Sequence, residues 1–141
     1  MTLTVRVVSP DKTVWDAAAE EVVLPSTTGQ LGILTGHAPL FTALDTGVMR
    51  VRTSKSQDWQ AIALLGGFAK IEENEVTIVV NGAERGDMIK LEDARAAYNQ
   101  AQTRLNQVPA EDKQAQIQAT QAFKRARARL QAAGGSVNAS V

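Results

Sequence analysis

The stretch N-E-V-T-I-V-V-N-G-A-E-R-G-D-M-I-K-L-E-D-A-R-A-A-Y, residues 74–98, changes its periodicity halfway. Val76, Ile78 and Val80 alternate with Thr77 and Val79, the period-two pattern of a strand with two faces. Beyond Asn81-Gly82 and Gly86 the spacing lengthens. Leu91, Ala94 and Tyr98 lie three and four residues apart, on one face of a helix. The chain divides near residue 90, and each side keeps its own pattern.

Upstream, residues 1–90 hold eight of the ten glycines and seven short runs rich in β-branched residues, at 4–8, 13–15, 21–24, 48–53, 59–65, 68–71 and 75–80. Breaks bearing Gly, Pro or Asn separate most of them, among them Ser9-Pro10-Asp11, Gly66-Gly67 and Glu73-Asn74. Short strands at close spacing with turn signals point to a sandwich or barrel. The run at 61–65 is apolar on both faces, which places it between two layers.

Downstream, residues 91–133 contain no glycine, twelve alanines and four β-branched residues, a helical composition. Pro109 interrupts it, and Pro109-Ala110-Glu111-Asp112 reads as a turn into a second helix with acids in its first turn. Leu91, Ala94, Tyr98, Ala101 and Leu105 form a narrow seam; Ala119, Ala122, Ala126, Leu130 and Ala133 form its counterpart, with Phe123 beside it. Ile117 falls off that stripe and is expected to touch something other than the first helix. Gly134-Gly135 closes the hairpin. The expected organisation is α+β in sequence order: a β-sandwich over 1–87, an antiparallel α-helical hairpin over 88–134 and a flexible tail over 135–141. A seam made mostly of alanine buries little area, while ordering two helices costs entropy. The hairpin therefore needs a second surface and can leave it at modest cost.

Of the 141 residues 44% are hydrophobic, enough for a core, and the formal net charge is zero, which argues against disorder. That balance gives no global electrostatic case for nucleic acid or membrane binding. Absence of cysteine excludes disulfides and thiolate metal sites. The start lacks a basic segment followed by an apolar run, so no signal peptide is expected. No apolar stretch reaches the roughly 20 residues that span a bilayer.

The only histidine, His37, sits in G-Q-L-G-I-L-T-G-H-A-P-L at 29–40. A zinc site there would need carboxylates around it, and no nucleophile-elbow pattern accompanies it. It reads as a loop histidine that bonds backbone or a partner. Glu20-Glu21, Glu72-Glu73 and Glu92-Asp93 are adjacent pairs, which face opposite ways in a strand and read as solvated charges. Gly29-Gln30-Leu31-Gly32 lacks the lysine and following helix of a phosphate loop. No catalytic or metal-binding residue emerges.

The basic run F-K-R-A-R-A-R-L holds Lys124, Arg125, Arg127 and Arg129 and supports two readings. One is a solvated face complementing the negative end of a helix. The other is recognition of an acidic segment or a polyphosphate by guanidinium forks. Residues 1–90 carry 8 basic against 11 acidic side chains, net −3, and residues 91–141 carry 7 against 4, net +3. The hairpin therefore favours its own sandwich or another acidic surface. The run has no interleaved aromatics, which disfavours RNA. Two other classes stay open from the residues alone: an enzyme or ligand-binding protein with a pocket near His37, and a nucleic-acid adaptor with steeply salt-dependent binding.

The motifs G-x-L-G-I-L-x-G-H-A-P-L at 29–40, G-V-M-R-V-R at 47–52, L-L-G-G-F-A-K-I at 64–71 and A-E-R-G at 83–86, followed by the two helices, resemble the epsilon subunits of F-type ATP synthases over residues 1–133. The likeness is greatest to the cyanobacterial and chloroplast branch. It implies a sandwich of about ten strands and a non-catalytic subunit of the central stalk, which couples rotation to ATP synthesis and inhibits hydrolysis through its C-terminal helices. The implied partners are the gamma subunit, the c-ring and, in the inhibited state, the alpha/beta catalytic head; nucleic acid is not among them. Gln30 and Leu31 are then candidates for c-ring contact and His37 for gamma contact, with Pro39 and Leu40 on the same surface. Lys124, Arg125, Arg127 and Arg129 would meet an acidic segment of the beta subunit. The implied location is peripheral, on the cytoplasmic or stromal face of the thylakoid or another energy-transducing membrane, reached only through the complex.

Some relatives bind ATP through Ile/Leu-Asp-x-x-Arg-Ala and two arginines of the second helix. Here Leu91-Glu92-Asp93-Ala94-Arg95-Ala96 has glutamate where aspartate is expected, while Arg125 and Arg129 match the pair. The extra methylene moves the carboxylate by about a bond length, enough to weaken a hydrogen bond. The expectation is no cofactor beyond weak ATP binding at Glu92, Arg95, Arg125 and Arg129.

Overall fold

The computed structural model describes residues 2–54, 56 and 58–135. Ten strands come first: β1 (Leu3–Ser9), β2 (Lys12–Ala19), β3 (Glu21–Ser26), β4 (Gly29–Leu34), β5 (Leu40–Leu44), β6 (Gly47–Arg52), β7 (Gln60–Leu64), β8 (Gly67–Glu72), β9 (Glu75–Val80) and β10 (Ala83–Arg85). A short 3-10 turn at Gly86–Met88 leads to α1 (Leu91–Gln107) and α2 (Lys113–Ala132). The tail expected over 135–141 lies, from residue 136 on, outside the described residues.

Pairing runs β10-β7-β6-β3-β5-β8-β9-β1-β2, with β4 on β3. All neighbours are antiparallel except β1 and β9. β3 joins the two halves: its first residues pair with β6, and its last, Ser26, pairs with Leu44 of β5. At the far side β10 lies close to β1 and β2, so the two halves enclose a single core. Period-two alternation supplies that core with Leu3, Val5 and Val7 of β1, Ile62 and Leu64 of β7, and Val76, Ile78 and Val80 of β9.

The run at 61–65 lies between two layers, as its composition predicts. Ile62 and Leu64 point into the sandwich core, while Ala63, flanked by Ala61 and Val48, belongs to a second core beneath the helices. There α2 lies across β6, β7 and the 3-10 turn, and α1 packs principally on α2. The second core is built from Ala94 and Tyr98 of α1 and from Phe123, Ala126, Ala128, Leu130 and Ala132 of α2. Alanine thus works on two sides of α2, one against α1 and one against the sandwich.

Both ends of α2 are capped. Asp112 Oδ1 accepts from the Ala115 N–H at 3.1 Å. Its far end closes with Gly134 N–H to Gln131 O (3.1 Å) and Gly135 N–H to Leu130 O (2.9 Å), with Gly134 at φ +93°.

Several expectations need correction. Glu111 and Asp112 precede the second helix, whose first turn carries no acid. Ile117, expected to touch something other than the first helix, is 59% exposed and belongs to neither core among the described residues. β4, β5 and β10 fall outside the seven runs read from composition; β4 contains Gly29 and Gly32, and β10 is three residues long with no β-branched member. Glu21 is not simply solvated: it accepts from Arg52 Nη2 at 2.8 Å across β3 and β6, with both side chains half-buried.

Candidate functional site

Three surfaces carry the residues of interest. The first runs along β4 and the loop after it. Gln30 is exposed beside the β3–β4 turn, and Leu31 is half-buried against the sandwich core. Four residues on, at about 3.3 Å per residue, Leu34 marks the other end of the strand and is exposed. Here the loop folds back on itself: His37 N–H donates to Leu34 O at 3.2 Å, and Gly36 N–H donates to Asn74 Oδ1 at 2.7 Å. Asn74 takes φ +63° in the β8–β9 turn, so that turn holds the loop in place. The imidazole is engaged locally, Nδ1–H donating to Ala38 O at 2.6 Å. A shallow depression of about 290 Å³ joins His37 to Leu34, Gly32 and Glu21. Pro39 and Leu40 line a separate depression with Phe41 and Lys70. The structure therefore brings His37 to Leu34 and leaves Gln30 and Leu31 at the opposite end of β4.

The second surface was not read from the sequence. On the outer face of β5, β8 and β9, Phe41 and Phe68 stack with centroids 5.5 Å apart and planes at 20°. Val79 pairs directly with Phe68 across the strands. These three are 68%, 52% and 55% exposed. A groove of about 740 Å³ continues the patch past Val8 and Pro10. Its signal lay in parity: Phe68 alternates with the buried Ala69 and Ile71, so it had to point outward.

The third surface is the basic helix. Of the four cations, Arg129 is the most engaged. Its Nε donates to Glu84 Oε1 at 2.7 Å and its Nη2 to Glu84 Oε2 at 3.2 Å, a two-pronged fork. The Glu84 hydrogen bond, with charge attraction from Glu84 and Asp93, holds the Arg129 pKa above its ordinary value against partial burial. Lys124 Nζ lies 3.6 Å from Asp45 Oδ2, an exposed tether to the β5–β6 loop. Arg127 covers the Phe123 ring at 5.4 Å. Arg125 is exposed.

Arg125 and Arg129 meet, as their spacing predicts, in a groove of about 310 Å³ between α1 and α2, and Arg104 joins them there. Glu92 and Arg95 are exposed in the first turns of α1 and do not line that groove. The acids that act on Arg129 are Glu84 and Asp93 instead. Glu84 could not be found from helical spacing, because it lies 45 residues away on β10. Among the described residues, no group of three or more His, Cys, Asp or Glu side chains is placed to hold a metal ion.

Residues 2–86 match the family model described as ATP synthase, delta/epsilon chain, beta-sandwich domain, and residues 87–134 match its long alpha-helix domain. The ATP synthase epsilon chain of Trichormus variabilis is 82% identical over 137 residues, covering 97% of this chain and all of the relative. That of Synechococcus elongatus is 68% identical over 138 residues, covering 98% of this chain and 99% of the relative. Among solved structures, the fold is similar to a chain of the Euglena gracilis mitochondrial ATP synthase OSCP/F1/c-ring assembly, with a TM-score of 0.76 at 20% identity over 94% of this chain and 81% of that one. It is also similar to a chain of the Tetrahymena thermophila mitochondrial ATP synthase central stalk/c-ring structure, with a TM-score of 0.59 at 14% identity over 94% of this chain and 96% of that one. With both domain types matched in order and relatives this similar from end to end, the chain belongs to the delta/epsilon family of ATP synthase subunits.

Proposed function

We propose that the chain is the epsilon subunit of a proton-translocating ATP synthase, a non-catalytic part of the central stalk that couples rotation to ATP synthesis and restrains ATP hydrolysis through its C-terminal helices. The observation that carries this reading is full-length identity of 82% to an ATP synthase epsilon chain, with the helical hairpin included. The stacked Phe41–Phe68 pair with Val79 supports a docking role, since an exposed aromatic cluster of this kind is uncommon on a chain that works alone. Gamma is the partner assigned to that face and to the His37 loop. Gln30 and Leu31, at the turn end of β4, are assigned to the rim that meets the c-ring, and Pro39 and Leu40, in a separate depression, to the contact with the c-ring and gamma. The assigned location is the thylakoid or another energy-transducing membrane, with this subunit peripheral on its cytoplasmic face; relatives from cyanobacteria support that reading. No described helix is long and apolar enough to cross a membrane.

Inhibition is assigned to α2, whose Lys124, Arg125, Arg127 and Arg129 would face an acidic segment of the catalytic head once the hairpin leaves the sandwich. ATP binding at the hairpin would be weak at best. Glu92 and Arg95 stand outside the arginine groove, and Arg129 already holds a carboxylate there.

The test is reconstitution with gamma, the c-ring and the catalytic head, followed by assays of hydrolysis. The full chain is expected to restrain hydrolysis. A version ending at residue 87 keeps the sandwich core intact, and is expected to bind gamma without restraining it. Equal restraint by both would remove the inhibitory role from the hairpin.

A further inference from the structure

The motif A-E-R-G at 83–86 sits beneath the last turn of α2, and three of its residues act on the docking of that turn. Glu84 offers both carboxylate oxygens to the Arg129 fork. Arg85 points the other way, as the next residue of a strand must. Its Nη2 donates to Asp87 Oδ2 at 2.7 Å, and its guanidinium lies 5.5 Å from the centre of the Trp15 ring. It thereby pins the end of β10 to the sandwich. Gly86 is buried directly against the helix end. A Cβ added there would overlap the carbonyl oxygen of Ala132 and lie 2.7 Å from its carbonyl carbon. Those are backbone atoms, so the helix itself would have to move. On the other side the added Cβ would lie 3.1 Å from Ala61 O, a contact that a shift of a few tenths of an ångström relieves. The need for glycine at 86 therefore comes mainly from the docked helix.

We infer that Ala83–Gly86 is a socket for the C-terminal turn of α2: Glu84 supplies the attraction, Gly86 the space, and Arg85 the fixed position of the strand end. Because Arg129 cannot serve Glu84 and an acidic segment elsewhere at once, the socket sets the fraction of hairpins held on the sandwich. This last step rests on the inhibitory reading of the hairpin; the socket itself does not.

Amide hydrogen exchange on the isolated full-length chain tests it. Glu84→Gln and Arg129→Gln are each expected to speed exchange over residues 123–132 by about 3- to 10-fold, the modest range set by a half-exposed ion pair. Strands β1 and β9 should keep their rates. Gly86→Ala should speed α2 at least as much, and the exchange of charges, Glu84→Arg with Arg129→Glu, should recover part of the protection. Unchanged α2 rates in Glu84→Gln and Gly86→Ala, or a charge swap as fast as the single variants, would overturn the socket. In the assembled enzyme Glu84→Gln should strengthen the restraint on hydrolysis. Faster α2 exchange with unaltered hydrolysis would keep the socket and refute the inhibitory role.

Discussion

The Tyr98 and Phe123 rings lie 5.3 Å apart at 38°, joining α1 to α2, yet the buried Tyr98 hydroxyl has no hydrogen-bond partner among the described residues. Tyr98 is 4% exposed, and a hydroxyl buried there with no protein partner adds little to stability. Tyr98→Phe is therefore expected to be neutral or to stabilise the hairpin by about 1 kcal/mol. Tyr98→Ala, which empties the site, should cost about 3–5 kcal/mol. Urea unfolding followed by helical circular dichroism separates the two. A Phe variant less stable than the parent by more than about 1 kcal/mol would mean that the hydroxyl finds a partner in solution.

The aromatic pair on the outer sheet face should behave in the opposite way. Phe41 and Phe68 contribute mostly exposed area to the free chain, so Phe41→Ser with Phe68→Ser should change its stability by less than about 1 kcal/mol. Binding to gamma should fall at least about tenfold, the size expected when aromatic anchors leave an interface. Titration of gamma against both chains measures this. Unaltered affinity would move the gamma contact elsewhere.

How far the sequence foretold these features depended on side-chain size. Val76, Ile78 and Val80 announced β9 through large alternating side chains, and all three are buried. Ala128 and Ala132 escaped notice because alanine adds little amplitude to any period, although both are buried against the sandwich side. The hairpin seam was legible through Tyr98 and Leu130. The face that docks on the sandwich was not, because close helix–sheet approach selects small residues. The arginine pair was legible from its four-residue spacing, but Glu84, its partner, depended on tertiary folding that brings β10 under α2. His37 was read as a loop residue that bonds backbone or a partner, and within the chain its ring bonds Ala38 O.

The basic residues divide into those the sandwich holds and those it leaves. Arg125 is exposed and Arg127 lies over its own helix's Phe123 ring. Arg125→Ala with Arg127→Ala should therefore leave docking unaltered and weaken inhibition of hydrolysis by about three- to tenfold, given modest worth for each exposed contact. Assembly with gamma should be spared. Inhibition equal to that of the parent chain would make both arginines a solvated face.

The two cores meet across β6 and β7, and that arrangement predicts separate responses to cavities. Ile78 is fully buried in the sandwich, and Leu130 is fully buried between the helices and beside Gly135. Removal of a large buried side chain costs about 2–5 kcal/mol at either site. Ile78→Ala should lower the melting temperature of the whole chain, because the hairpin has nothing to dock on once the sandwich opens. Leu130→Ala should instead release the helices while β1 and β9 keep their protection, since isolated helices of this length are marginal in water. Amide exchange resolved by segment distinguishes these outcomes. A Leu130→Ala chain whose strands and helices open together would mean one cooperative unit. A hairpin that moves during rotation requires the other result, a sandwich that stands when the helices leave it.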